Sequence, residues 1–337
     1  METQTKTDTI ATETQTQDTQ AIAAAAQDAT AENTHAPTTQ TPATPPPTTQ
    51  APATRAPAAQ EIPKIIHYCW FGGAQLGELE QKCVESWKKF MPDYEIVQWD
   101  ESNFDISQID YTKQAYEAKK WAFVSDYARF KILYENGGIY LDTDVEIIRT
   151  LTDLLDAGAY FGCEQNATTS NADEKHAWDE CFTPRVNPGL GMACVPKNDF
   201  CKKMLDSYEC EQFTNADGSF NTYNVVSRTT DALVEEGLEN VPGIQTVAGF
   251  NIYPQEYLNP KDYDTGEINI TPNTYSIHHF AMSWLCKSEL LEHKYFEKYA
   301  KAGKTGTLWH YLARYRAILV CGDFKRLFHN VKKALKK

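Results

Sequence analysis

No CxxC pair occurs among the nine cysteines, and Cys194, Cys201 and Cys210 are spaced too irregularly for a zinc knuckle. An odd number of cysteines without such spacing reads as reduced thiols of a cytosolic protein. No apolar run approaches the ~18 residues of a membrane span. The N-terminus shows no basic stretch followed by an apolar one, so no secretory signal is expected. Positive charge is scarce: 32 Lys and Arg stand against 46 Asp and Glu, a net charge of -14. That balance excludes a general nucleic-acid binder, because phosphate neutralisation needs a basic surface.

The scarcity is uneven. Between Leu312 and Lys337 there are eight Lys and Arg and a single acid, Asp323, a local +7, so the rest of the chain carries -21. Residues 1–60 are nearly all Thr, Ala, Gln, Pro, Asp and Glu. A segment such as "TPATPPPTTQAPATRAPAAQ" cannot bury enough apolar surface to offset its ordering entropy, and it is expected to be a disordered tail.

Composition changes at Glu61. "IPKIIHYCWFGG" reads as a buried strand ended by Gly72-Gly73. "LGELEQKCVESWKKFMPDY" has helical spacing in Leu79, Cys83, Val84 and Trp87, with Pro92 as its stop. "YEIVQWD" alternates as a second strand. Strand, helix, strand at this spacing predicts a βαβ unit with parallel pairing. Residues 113–135 are predicted to be one long buried helix, stopped by Asn136-Gly137-Gly138. "GIYLDTDV" follows as a strand, with helices near 198–210 and 222–236 and a helical C-terminus over 307–337.

The carboxylates of Asp142 and Asp144 carry the chemistry. As alternate residues of a strand they would share a face, about 7 Å apart, and repel without a cation. Oxygen ligands of this kind suit Mg²⁺ or Mn²⁺ held against substrate phosphates. The spacing alone fits two solvated aspartates of a surface turn equally well. On the preceding helix Asp126 and Arg129 are three apart, on one face, with Ser125 beside them. They read either as a structural ion pair or as hydrogen-bonding groups beside a polar ligand.

"WAFVSDYARFKILYENGGIYLDTDV" resembles the DXD-containing sugar-transferase region of glycosyltransferase family 32, which includes bacterial capsular polysaccharide transferases. More distantly it is similar to the catalytic core of the clostridial glucosylating toxins. "IPKIIHYCWFGG" and "ITPNTYSIHHFAMSW" match bacterial members in the same order, so the resemblance covers roughly residues 61–290. It implies an α/β fold of the GT-A type with a mixed central sheet over 61–300; the residue pattern beyond reads as a basic amphipathic segment over 301–337. It implies a retaining transferase using a nucleotide-sugar donor, a UDP-sugar or GDP-mannose, with Mn²⁺ or Mg²⁺. The acceptor would be a glycan or lipid-linked oligosaccharide in surface polysaccharide synthesis.

Carried over by position, Trp70 would stack on the nucleotide base. Asp126 and Arg129 would contact the donor sugar and its phosphate side, and Tyr140 would lie beside the nucleotide. Asp142 would touch the ribose and the metal shell, and Asp144 would bind the metal. His278 or His279 would close the metal site; as neighbours on a strand they face opposite ways, so one ligand is expected. Ser283 and Trp284 would reach the diphosphate, and Asn187 in "VNPGLGMA" would line the sugar pocket.

Two other classes compete. A DxD phosphatase wants its motif near the start of its domain and a different residue pattern after it. A non-catalytic sugar-binding module has no need of the full metal and diphosphate set. At the C-terminus, Phe324, Leu327, Phe328, Val331 and Leu335 fall on one helical face among lysines. That face would suit either the domain surface or an anionic membrane at the cytoplasmic leaflet.

Overall fold

The computed structural model describes residues 61–166, 184–282 and 285–328. The expectations for residues 1–60 and for the end of the basic C-terminal segment lie outside these residues.

The chain opens with β1 (Ile65–Cys69), α1 (Glu78–Phe90) and β2 (Glu95–Trp99), and β1 and β2 pair in parallel as the spacing predicts. Next come α2 (Asp110–Glu117), α3 (Trp121–Asn136), β3 (Gly138–Tyr140), β4 (Val145–Ile147) and α4 (Thr152–Asp156). Then follow β5 (Tyr160–Gln165), β6 (Arg185–Cys194), α5 (Asp199–Glu209), α6 (Val225–Glu235), β7 (Gln245–Val247) and β8 (Phe250–Tyr253). The chain ends with α7 (Gln255–Leu258), β9 (Ser276–His278), α8 (Lys287–Ala300) and α9 (Thr307–Cys321). Seven strands form one mixed sheet in the order β2-β1-β3-β6-β5-β8-β7, and β4 pairs with β9 in a separate antiparallel ribbon.

Apolar side chains fill both faces of the sheet. On one face Ile66 and Tyr68 of β1 meet Cys83, Val84 and Trp87 of α1, together with Val145 and Ile147 of β4. On the other, α3, α5 and α6 supply Phe130, Leu133, Met204, Leu205 and Leu233. Helix α1 also fixes β4 by hydrogen bonds: the Trp87 indole donates to the Val145 carbonyl at 2.7 Å, and the Ile147 amide donates to the Ser86 hydroxyl at 2.9 Å.

Two sequence expectations are corrected. The single helix over 113–135 is two helices, broken at Lys119, which takes φ 58°. A non-glycine residue at that φ ends the α2 hydrogen-bond ladder, so α3 starts afresh at Trp121 and is free to aim Asp126 and Arg129 independently of α2. The strand "GIYLDTDV" is also not continuous. It pairs only through Tyr140, turns at Thr143-Asp144, and resumes as β4 in the second sheet. The Val145 amide donates to the Asp142 carbonyl at 3.1 Å across that turn. The two aspartates therefore sit on a turn between sheets rather than on one strand face.

The stop after α3 is as expected, and its glycines are obligatory. Gly137 and Gly138 have φ 65° and 96°, and a Cβ on Gly138 would come within 2.7 Å of the Ile65 carbonyl. This crossing brings β3 down beside β1. It also anchors His67, whose Nε2 donates to the Gly137 carbonyl at 3.0 Å while its Nδ1 accepts from the Trp99 indole at 3.1 Å.

That arrangement needs a neutral ring, and burial pushes His67 down to about 4. The unfolded chain titrates near 6.5, so between the two values it binds a proton that the folded protein refuses. The contribution is complete above the unfolded value and is lost as pH falls towards the folded one. The expected loss is about 3 kcal/mol of stability by the acid end of that window. Urea unfolding at neutral pH and at pH about 4.5 checks this. A His67→Gln variant should show a shallower fall between the two conditions; an identical fall would remove His67 as the cause.

Candidate active site

Strands β1 and β3 run parallel, with Tyr140 at the end of β3 in register with His67, two residues before β1 ends at Cys69. Carboxyl ends of parallel strands are where open α/β sheets bind ligands. Helix α3 lies behind this edge and β6 beside it, while the ribbon β4-β9 returns across it. Side chains from all of these converge.

Arg129 is the hub. Its side chain is 4% exposed, and its Nε donates to the Ser125 carbonyl at 3.1 Å. Its Nη2 lies 3.1 Å from Asp126 Oδ1 and 3.4 Å from Asp142 Oδ1, and its guanidinium sits 4.9 Å over the Tyr140 ring. Nη1 is buried and has no partner among the described residues. A buried guanidinium N–H left unmatched is costly unless a ligand completes it. Burial pushes the Asp126 carboxyl up to about 6, opposed by Arg129. Burial would lower the Arg129 pKa, but the carboxylates of Asp142 and Asp126 outweigh it and raise it.

Asp142 and Asp144 are brought together by the turn. The Tyr140 hydroxyl donates to Asp142 Oδ1 at 3.0 Å, and the Asp142 amide donates to the Gly189 carbonyl at 2.9 Å. Asp144 is nearly buried. Its Oδ1 lies 3.2 Å from His278 Nε2, its Oδ2 accepts from the Ala281 amide at 2.7 Å, and its carbonyl accepts from the His279 amide at 2.9 Å. Burial alone would raise its pKa; the imidazole and that amide reverse this and hold it at about 2. One atom each from Asp142, Asp144 and His278 lies within 4.8 Å of the others.

A divalent ion fits this set. Two carboxylates and an imidazole are donors for Mg²⁺ or Mn²⁺. His278 Nδ1 is buried without a hydrogen-bond partner among the described residues, while Nε2 meets Asp144 and the ring packs edge-on against Phe280. Gly189 leaves the room. A Cβ there would stand 2.0 Å from Asp142 Oδ2, so the carboxylate occupies space that any other residue at 189 would fill.

The register of β9 separates the two histidines. His278 turns to Asp144, whereas His279 Nε2 meets Glu146 Oε2 at 2.8 Å, and Lys82 Nζ joins the same carboxylate oxygen at 2.7 Å. His279 is thus hydrogen-bonded to Glu146, outside the cluster. Asn187 of β6 faces the site: its Oδ1 accepts from the Gly189 amide at 2.7 Å, and its Nδ2 donates to Glu164 at 3.0 Å. Trp70 follows β1 and is half-buried, its indole donating to the Ala74 carbonyl at 2.6 Å. Ser283 and Trp284 lie outside the described residues.

Sequence reasoning missed two members. Gly189 was visible only as part of "VNPGLGMA", with nothing local to tie it to Asp142. Lys261 donates through Nζ to the His279 carbonyl at 2.6 Å, and burial lowers its pKa against the pull of Glu297 and Asp144. No pattern in the sequence links it to the aspartates, because more than a hundred residues and nine elements, β4 to α7, intervene.

Residues 77–161 match the family described as "Glycosyltransferase sugar-binding region containing DXD motif". Inositol phosphoceramide mannosyltransferase 3 of Schizosaccharomyces pombe is 40% identical over 101 residues, 28% of this chain and 27% of that protein. An uncharacterized glycosyltransferase of Acanthamoeba polyphaga mimivirus is 31% identical over 114 residues, 30% of this chain and 42% of that protein. The chain thus spans less than half the length of these curated relatives. The solved structure titled "PaToxG Glycosyltransferase" aligns at 20% identity with a TM-score of 0.37, over 52% of this chain and 70% of that one. A likeness at that level leaves the fold to rest on the sheet described above. The matched stretch holds Asp126, Arg129, Asp142 and Asp144 in one segment, and it is similar to the DXD-containing sugar-binding region of glycosyltransferases.

Proposed function

We propose that this chain is a metal-dependent, retaining glycosyltransferase of the GT-A type. It moves a sugar from a nucleotide donor to a glycan or lipid-linked oligosaccharide in surface polysaccharide synthesis. The observation that carries the reading is the convergence of Asp142, Asp144 and His278 beside the half-unmatched Arg129. The catalytic unit would span residues 61–300, with 1–60 as a tail and 301–337 as a basic segment at the cytoplasmic face of a membrane. The donor is a UDP-sugar or GDP-mannose, and the relative named for mannose transfer to inositol phosphoceramide supports the second.

Breaking the anomeric C–O bond builds charge on a leaving nucleoside diphosphate. A divalent ion held by Asp142 and Asp144, with His278 at the edge, would neutralise that charge when bound. Arg129 Nη1 would donate to the donor, while Asp126 fixes the guanidinium plane. Tyr140 holds Asp142 in place through its hydroxyl, and Asn187, oriented by Glu164, would line the sugar pocket. Lys261 would add positive charge on the diphosphate side. Trp70 would cover the base, and Ser283 with Trp284 would complete the diphosphate contacts. Same-face attack by the acceptor hydroxyl accords with a retaining family.

A panel of sugar nucleotides, read by nucleoside diphosphate release, tests the function. Release should occur with one donor class, stop with EDTA and return with Mn²⁺. Undiminished release in EDTA would reject the metal role. Phosphate release from p-nitrophenyl phosphate without any donor cleavage would replace the transferase by the phosphatase alternative.

A further inference from the structure

Helix α9 is apolar on nearly every side. Its inner face, Ala313, Ala317 and Ile318, is fully buried, with Ala313 packed on Phe296 and Ala300 of α8. A helix that is apolar all round is normally covered all round. This one is not. Leu308, Tyr311, Leu312, Tyr315 and Leu319 fall at i, i+3, i+4, i+7 and i+11, a single stripe. Leu308 is 66% exposed and Leu319 65%, with Val320 beside them at 64%. Past the left-handed Gly322, Phe324 and Phe328 add two more exposed rings. Exposed apolar surface of this extent with a polar rim marks an interaction face.

Charge tells what covers it. The stripe lies in the one basic stretch of an acidic chain, +7 over residues 312–337 against -21 elsewhere. Arg314 and Arg326 are ion-paired with Glu292. Lys325 is exposed beside Phe324, and Lys332, Lys333, Lys336 and Lys337 follow in the sequence. A second copy of this chain seated face to face would bring two such basic stretches together. An acyl layer with anionic headgroups accepts both the leucines and the lysines.

We propose that the outer stripe of α9, with Phe324 and Phe328, is a docking face for an anionic lipid surface. It deepens the membrane-side part of the proposed function by naming the surface, and places half of it before Gly322, upstream of the basic tail. Vesicle binding is read without turnover, so failure of the transferase reading would leave the result unaffected.

The experiment is co-sedimentation of the full chain with vesicles of phosphatidylglycerol and phosphatidylcholine, and with phosphatidylcholine alone. The wild type should bind the mixed vesicles, bind less in high salt, and stay in solution with the neutral ones. A Leu308→Glu/Leu319→Glu variant keeps helix-forming residues at both positions and should lose at least about tenfold in vesicle affinity with an unchanged melting temperature. Equal binding by wild type and variant overturns the proposal, as does equal binding to both vesicle types. A wild-type dimer in sedimentation velocity that the variant abolishes would assign the face to a second copy instead.

Discussion

Replacing Asp144 with asparagine is expected to lower the rate of donor turnover by at least about 10³-fold, roughly 4 kcal/mol of transition-state stabilisation, with the fold intact. The size follows from position. Removing a single preorganised group that faces developing charge costs about 10² to 10³ in rate. Asp144 does more than one such group. It is held ionised at about 2 by His278 and the Ala281 amide despite its burial. Asparagine keeps the volume and can still accept from Ala281 through its oxygen. Its amide would then face His278 Nε2, which can turn acceptor by moving its proton to Nδ1, an atom with no partner to lose. The local packing therefore survives while the negative charge does not. Turnover with saturating Mn²⁺, alongside a circular dichroism melt, checks this. A variant within tenfold of wild type would mean that Asp144 holds the ribbon together and does not serve the reaction.

How much of this was legible depended on sequence distance. The α3 segment and the Gly137-Gly138 stop were readable because helix spacing and positive φ are local properties. Asp126 with Arg129 followed from a three-residue offset, and the structure pairs them at 3.1 Å. The opposite facing of His278 and His279 followed from strand alternation, but which one meets Asp144 needed the β4-β9 register, a pairing across more than a hundred residues. The break after Tyr140 was hidden for a physical reason. "GIYLDTDV" places Ile139, Leu141, Thr143 and Val145 at every second position, the alternation a continuous strand shows. A chain that leaves one sheet and joins another also satisfies that pattern, since Leu141 and Val145 are buried in the same core layer either way. The interruption at Lys119 was equally masked, because lysine at positive φ has no compositional mark. Gly189 reaches Asp142, and Lys261 the His279 carbonyl, only through the fold.

Gly189→Ala tests the most demanding of these non-local contacts. Its expected result is a loss of at least about 10²-fold in donor turnover with little change in melting temperature. The backbone at 189 is not in the left-handed region, so alanine is conformationally allowed there. The conflict is entirely with the neighbour. The new Cβ would stand 2.0 Å from Asp142 Oδ2, 2.8 Å from its Cγ and 3.0 Å from Asn187 Oδ1. Gly189 cannot retreat, because its carbonyl accepts from the Asp142 amide and its amide donates to Asn187. The Asp142 side chain is 29% exposed and can swing outward. Doing so would break its contacts with Tyr140 and Arg129 and take it out of reach of Asp144 and His278. The methyl thus converts a placed carboxylate into a solvated one at modest cost to stability. Donor turnover over a range of Mn²⁺ concentrations separates the causes: a displaced ligand raises the metal requirement, whereas a general packing defect lowers the melting temperature and leaves that requirement unchanged. Full activity at ordinary Mn²⁺ would show that Asp142 tolerates displacement and has no part in holding the ion.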